Sequence, residues 1–285
     1  MDLTFVKMHG CGNDFILVDD LALQWKLDDA AVVMLCDRHF GIGADGMILV
    51  RPATDPVADY YMHYINADGS LAEMCGNGIR VFAKYLVDRG LVTSGHMVVQ
   101  TLGGMKTIDV IPGQDGEFAL ARVDMGEPVL DAPGIPTTLK DAPLVDVPLE
   151  TVAGTVPVTC VSMGNPHAVT WVDDVDSAPV EETGAVVEVH EAFPRHTNVE
   201  FAQLVSPSRI RLRVWERGVG ETLACGTGAC ATLVAGVLSD RCGRSAIVEL
   251  PGGDLRIEWL DDRHVYMTGP AARVYEGVFP IPDAV

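Results

Sequence analysis

Two cysteines of this 285-residue chain stand in the same local setting. Cys75 opens Cys75-Gly76-Asn77-Gly78, and Cys225 opens Cys225-Gly226-Thr227-Gly228. After the first, apolar positions fall at Ile79, Phe82, Ala83, Leu86 and Val87; after the second they fall at Cys230, Leu233, Val234, Val237 and Leu238. Both sets follow the i, i+3, i+4, i+7, i+8 spacing of one buried helix face. A thiol at the start of a helix lies beside unpaired N–H groups and the positive end of the helix dipole. That setting predicts a lowered pKa and a favoured thiolate. The glycines beside each thiol let a ligand approach the backbone closely. Two such elements, 150 positions apart, predict a pair of thiols acting on one substrate.

The elements that must hold these thiols repeat as well. Tyr61-Met62-His63-Tyr64-Ile65-Asn66 precedes Cys75 at the offset at which Arg211-Leu212-Arg213-Val214-Trp215-Glu216 precedes Cys225. In the second segment Ile210, Leu212 and Val214 alternate with arginines, the pattern of a half-buried strand. Downstream, Val98 to Leu102, Gly103-Gly104 and Met105 to Ile108 parallel Ile247 to Pro251, Gly252-Gly253 and Asp254 to Ile257. Each reads as a hairpin. Near the start of each copy, Met8-His9-Gly10-Cys11-Gly12-Asn13 matches Ser162-Met163-Gly164-Asn165-Pro166-His167. The chain thus reads as two copies of one strand–strand–helix–hairpin unit. The expected division is residues 1–125, carrying Cys75, and residues 126–285, carrying Cys225. The prolines between Gly126 and Pro157 mark an extended connector and the opening edge strand of the second copy.

Composition narrows the function. A net charge of −20 with no basic stripe argues against nucleic acid as a partner. No apolar run approaches the ~18 residues of a membrane span, and no secretory signal follows Asp2. Seven cysteines without paired spacing suit a reducing cytoplasm. Neither C-x-x-C nor H-x-x-x-H occurs, so no metal site is expected. Cys36, Cys160, Cys230 and Cys242 read as small buried hydrophobes, and Cys11 as a turn residue.

Polar side chains gather at matching points of the two copies. Asn13 and Asn165 lie in glycine-containing turns, Asn66 and the Glu216-Arg217 pair end equivalent strands, Asn198 precedes a further strand, and His167 follows Pro166. Any one asparagine could simply cap its own turn. Together they describe amides, a carboxylate and a guanidinium suited to a ligand bearing both carboxylate and ammonium groups.

Gly10 to Phe15, Asn66 to Ser70, Glu73 to Arg80, Met163 to His167, Thr197 to Phe201 and Trp215 to Gly228 closely resemble the motifs of the diaminopimelate epimerase family. The resemblance spans nearly the whole chain. It implies an α+β fold of two pseudo-symmetric domains, each with β-sheets wrapped around a central helix, and a site in the cleft between them. It implies a PLP-independent amino-acid epimerase, an isomerase of the lysine and peptidoglycan precursor route, with no cofactor. It also implies a cytoplasmic homodimer whose partner molecule is diaminopimelate. Cys75 and Cys225 would be the acid–base thiols, with Cys225 taking the proton and Cys75 giving one in the LL to meso direction. His167 and Glu216 would tune them. Asn13, Asn66, Gly76, Asn77, Asn165, Asn198, Glu216, Arg217, Gly226 and Thr227 would hold substrate. A proline or hydroxyproline racemase shares the two-cysteine pattern, but the separate asparagine motifs favour a substrate with a second amino-acid end. A redox protein with a switchable disulfide, and an isomerase using a carboxylate instead of thiols, are the readings from other classes.

Overall fold

The computed structural model describes residues 2–140 and 143–281. Its chain forms two compact units. The first is built from the chain up to Val123 and from Gly269 onward; the second is Asp124–Thr268.

The first unit opens with strands β1 (Asp2–Gly10) and β2 (Asn13–Asp19), an antiparallel pair turning at Cys11-Gly12. Helix α1 (Asp29–Cys36) leads to β3 (Gly46–Pro52), parallel to β2, and β4 (Tyr60–Asn66) returns antiparallel to β3. Helix α2 (Gly76–Asp88) follows. The chain then enters the antiparallel run β5 (His96–Thr101), β6 (Gly104–Pro112) and β7 (Phe118–Gly126).

The second unit repeats this plan pairing by pairing. Strand β8 (Val147–Thr151) runs antiparallel to β9 (Gly154–Ser162), and β9 antiparallel to β10 (Pro166–Trp171). Helix α3 (Val180–Glu188) connects β10 to β11 (Asn198–Ser206), its parallel neighbour. Strand β12 (Arg209–Glu216) returns antiparallel, followed by the short β13 (Gly220–Thr222) and helix α4 (Gly226–Leu238). Then come β14 (Ser245–Leu250), parallel to β12, β15 (Gly253–Trp259) and β16 (Val265–Gly269).

The last strand, β17 (Ala272–Pro280), departs from the sequence expectation, which assigned residues 126–285 to the second copy. It pairs antiparallel with β1, Leu3 opposite Phe279 and Thr4 opposite Val278, and so belongs to the first unit. It stands to β1 as β8 stands to β9. A side chain at Gly277 would strike the Phe5 ring, which is why glycine sits opposite that residue.

The two cysteine-led helices are central to their units. Helix α2 packs on β1 to β4, and α4 on β9, β10, β11, β14 and β15. The periodicity predicts one buried face, but burial runs almost all round. In α2 every residue from Gly76 to Ala83 is buried, and in α4 every residue from Gly228 to Gly236. Strands lie on several sides of each helix, so nearly all of its first half leaves water. That suits α4, whose sequence GTGACATLVAGVL holds no charge. Among the described residues no helix is long and apolar enough to cross a membrane.

Candidate active site

In the first unit the turn between β1 and β2 meets the start of α2. Cys75 is the N-cap residue of α2, and its Sγ accepts a hydrogen bond from the Gly78 amide at 3.4 Å. The same sulfur lies 3.6 Å from Oδ1 of Asn13, to which the thiol donates. Asn77 donates to that oxygen as well, at 3.2 Å. Gly10 eases the approach, since a Cβ there would sit 3.0 Å from the Asn77 carbonyl oxygen. Cys75, Asn13, Gly76 and Asn77 are therefore neighbours. Asn66 sits apart from them by hydrogen bonding: its amide nitrogen donates to Ser70 Oγ at 3.0 Å, inside its own turn.

In the second unit Cys225 is the N-cap residue of α4 and is buried. Its Sγ lies 3.5 Å from Thr227 Oγ1, and the Glu216 carboxyl group is near enough to disfavour its thiolate. Glu216 accepts a hydrogen bond from Thr222. A side chain at Gly228 would sit 2.8 Å from Oε1 of Glu200, so glycine lets that carboxyl group close on the first turn of α4. Glu200 Oε1 lies 2.6 Å from His167 Nδ1, and His167 Nε2 lies 3.0 Å from Asn165 Oδ1. Asn198 is buried and uses both ends of its amide on backbone: Nδ2 donates to Pro166 O at 2.8 Å, and Oδ1 accepts from the Arg217 amide at 3.0 Å. The next residue, Gly218, donates to Glu188 at 2.9 Å. The Glu216-Arg217 turn is thus clamped from two sides, with the Arg217 side chain exposed.

The expectation of a lowered thiol pKa fails at Cys225. Burial pushes this thiol well above its ordinary value, and the Glu216 and Glu200 carboxyl groups push the same way. Magnitudes explain the outcome. A helix terminus contributes ~0.3–1 kcal/mol, less than the ~1.4 kcal/mol of one pKa unit. Complete burial can move a pKa by up to ~3–5 units. Burial also raises Glu216 and Glu200. The Cys225 thiol therefore holds its proton at rest. Among the described residues there is no group of three or more His, Cys, Asp or Glu side chains able to hold a metal ion.

The match to known proteins covers the surroundings of both cysteines. The family model described as "Diaminopimelate epimerase" matches residues 5–130 and 159–274. The chain belongs to the diaminopimelate epimerase family. A diaminopimelate epimerase of Pelotomaculum thermopropionicum is 50% identical over 278 residues, covering 97% of this chain and 98% of that protein. One of Synechocystis is 52% identical over 281 residues, covering 97% and 99%. Among solved structures, a Bacillus anthracis PhzF-family protein aligns with a TM-score of 0.70 at 16% identity, covering 99% of this chain and all of that one. A hydroxyproline epimerase of Agrobacterium vitis aligns at 0.72 and 14% identity, covering 98% and 91%. At those identities the likeness shows a shared fold. Residues 131–158, between the two matched stretches, hold the Pro-rich connector, strand β8 and the start of β9.

Within this diaminopimelate epimerase family member, sequence reasoning passed over Glu200, Asp45 and Glu188. Glu200 carried a signal. It stands two positions after Asn198, on the same face of β11, as an acid in the otherwise uncharged run Asn198 to Ser206. Asp45 lies in a glycine-rich loop and Glu188 at the end of α3; neither shows its partner in the sequence.

Proposed function

We propose that this protein interconverts LL- and meso-2,6-diaminopimelate by proton transfer at one α-carbon, with Cys75 and Cys225 as the two acid–base groups. The observation that carries the reading is the equivalence of the thiols. Each is the N-cap of its unit's central helix, inside a stretch that the family model matches.

Inverting a stereocentre requires a proton to leave one face and another to arrive on the opposite face. Two bases do this without turning the intermediate over. In the LL to meso direction the Cys225 thiolate takes the α-proton while the Cys75 thiol donates its own. The sulfur charge passes from Cys225 to Cys75, and exchange with solvent resets the pair. The α-proton of an amino acid is very weakly acidic. The carbanion's own carboxylate must therefore be stabilised, and the backbone N–H groups at helix starts, those of Gly76 and Asn77 and of Gly226 and Thr227, suit that task.

The resting proton on Cys225 fits this scheme. Glu216 and Glu200 oppose the thiolate. A substrate ammonium group beside Glu216 would cancel part of that opposition, so that the base forms when substrate is present. Glu216 and Arg217 match the ammonium and carboxylate of an amino-acid end, and the half-exposed amides of Asn13, Asn66 and Asn165 add polar contacts. Asn198 serves by holding the Arg217 backbone. His167 acts through Asn165 and Glu200. This reading includes a cytoplasmic homodimer of an isomerase in lysine biosynthesis that works without pyridoxal phosphate.

Proton NMR of LL-diaminopimelate in D2O with the purified protein tests the reading. Loss of the α-proton signal together with appearance of the meso form is expected. Recovery of unchanged LL substrate would refute it.

A further inference from the structure

The amide of Asn13 has a fixed direction in the first unit, and a residue outside the predicted site sets it. We propose that Asp45, braced by Arg38 and Asp14, is the positioning residue that keeps the carbonyl end of Asn13 facing Cys75. This rests on the roles of Cys75 and Asn13 proposed above.

The argument is one of donors and acceptors. Oδ2 of Asp45 lies 2.7 Å from the Asn13 side chain and 3.0 Å from the Asp14 amide. A carboxylate accepts and does not donate, so the Asn13 atom facing it must be the NH2. That leaves Oδ1 of Asn13 turned toward Asn77 Nδ2, at 3.2 Å, and toward the Cys75 thiol, at 3.6 Å. The far end is fixed by the opposite logic. Asn77 Oδ1 accepts from a guanidinium nitrogen of Arg80 at 3.0 Å, and Arg80, fully buried, can only donate. The relay runs from Arg80 through Asn77 and Asn13 to Asp45 with every donor meeting an acceptor. Turning Asn13 over would set its NH2 against the NH2 of Asn77 and its carbonyl against a carboxylate.

Asp45 is itself held. Arg38 donates to Asp45 Oδ1 at 2.7 Å and to both oxygens of Asp14, at 2.7 and 3.1 Å. Lys7, nearly all buried, lies 2.7 Å from Asp14 and donates to the Gly43 carbonyl. The Asp45 amide bonds the Asp14 carbonyl at 3.0 Å, and the Asp45 carbonyl accepts from Ala67 at 3.1 Å, beside Asn66. One residue thus ties the Asn13 turn to the Asn66 turn. The consequence for Cys75 follows. A carbonyl oxygen facing the sulfur accepts S–H and holds the thiol; an NH2 in its place would donate to a thiolate.

A double-mutant cycle tests this. Asp45→Asn should lower kcat by about tenfold or more, ~1.4 kcal/mol of barrier. In an Asn13→Ala background the same change should cost no more than about twofold, because the residue it acts through is gone. Peptide mapping after iodoacetamide treatment should show Cys75 alkylated faster in Asp45→Asn than in the parent, which a loss of structure elsewhere would not produce selectively. If Asp45→Asn fails to fold, Arg38→Gln, at a half-exposed side chain, enters the same cycle with the same expected sign. Equal losses in both backgrounds, or no loss in either, would overturn the inference. Full activity of Asn13→Ala would overturn it by removing Asn13 from the site, while leaving the proposed reaction of the two cysteines standing.

Discussion

Oε1 of Glu200 lies 2.6 Å from Nδ1 of His167, and neither side chain is exposed to solvent. The second oxygen of Glu200 is buried with no hydrogen-bond partner. A buried polar pair costs most when one member is removed, because the other is left unsatisfied. Glu200→Ala should therefore destabilise the protein by about 3–5 kcal/mol. Glu200→Gln keeps a hydrogen bond to the imidazole and should cost about 1 kcal/mol. Urea unfolding of both variants measures the difference. Equal midpoints for the two would mean that the hydrogen bond to His167 contributes nothing.

Cys225 should be slow to alkylate in the absence of substrate. Its thiol is pushed up by burial, then by Glu216 and Glu200. Glu216→Gln removes a charge that opposes the thiolate, so the pKa of Cys225 should fall and iodoacetamide should modify it at lower pH. Mass-spectrometric mapping across a pH series reads the midpoint. An unchanged or raised midpoint in Glu216→Gln would show that Glu216 does not act on this thiol.

Acid should weaken the first unit through Asp14. Burial would raise its carboxyl group, but hydrogen bonds from Arg38 and Lys7 outweigh burial and hold it well below the ordinary 3.8. A lowered folded-state pKa stabilises the fold above the unfolded value, and that stabilisation is lost as the pH falls below 3.8 toward the folded value. Asp14→Asn should be less stable than the parent at neutral pH, and the gap should narrow as the pH drops through that window. Denaturant midpoints at neutral and acid pH report it. A gap that is constant with pH would place the effect of Asp14 outside its charge.

Much of this arrangement is legible in the sequence, and the exceptions have physical causes. The repeat, both helix starts, the hairpins and the alternation in β12 come from local periodicity, which short windows display. The pairing of Leu3 with Phe279 joins the two ends of the chain, and no local pattern announces it. The contact of Asn13 with Cys75 spans 62 positions. Their adjacency is visible only once β1, β2 and α2 are packed. The raised pKa of Cys225 departs from the motif's expectation for a different reason. Dipole and helix start can be read from a motif, whereas the burial of Cys225 and the two carboxyl groups near it are properties of the folded unit.

Proton transfer by side chains alone should survive removal of metals and carbonyl cofactors. Dialysis against a chelator, followed by a carbonyl-trapping reagent, should leave the epimerisation rate unchanged. A large loss that returns on adding a metal ion or pyridoxal phosphate would contradict the assignment of the chemistry to thiols.

The most direct test of the two-thiol account is the epimerisation rate of Cys75→Ala and Cys225→Ala, each checked by circular dichroism for an intact fold and followed by proton NMR from LL-diaminopimelate in D2O. Losing an acid–base group costs about 10²–10⁴ in rate. The account predicts that each single replacement removes at least two orders of magnitude. Either variant, folded and epimerising within about tenfold of the parent, a difference of only ~1.4 kcal/mol, would contradict it.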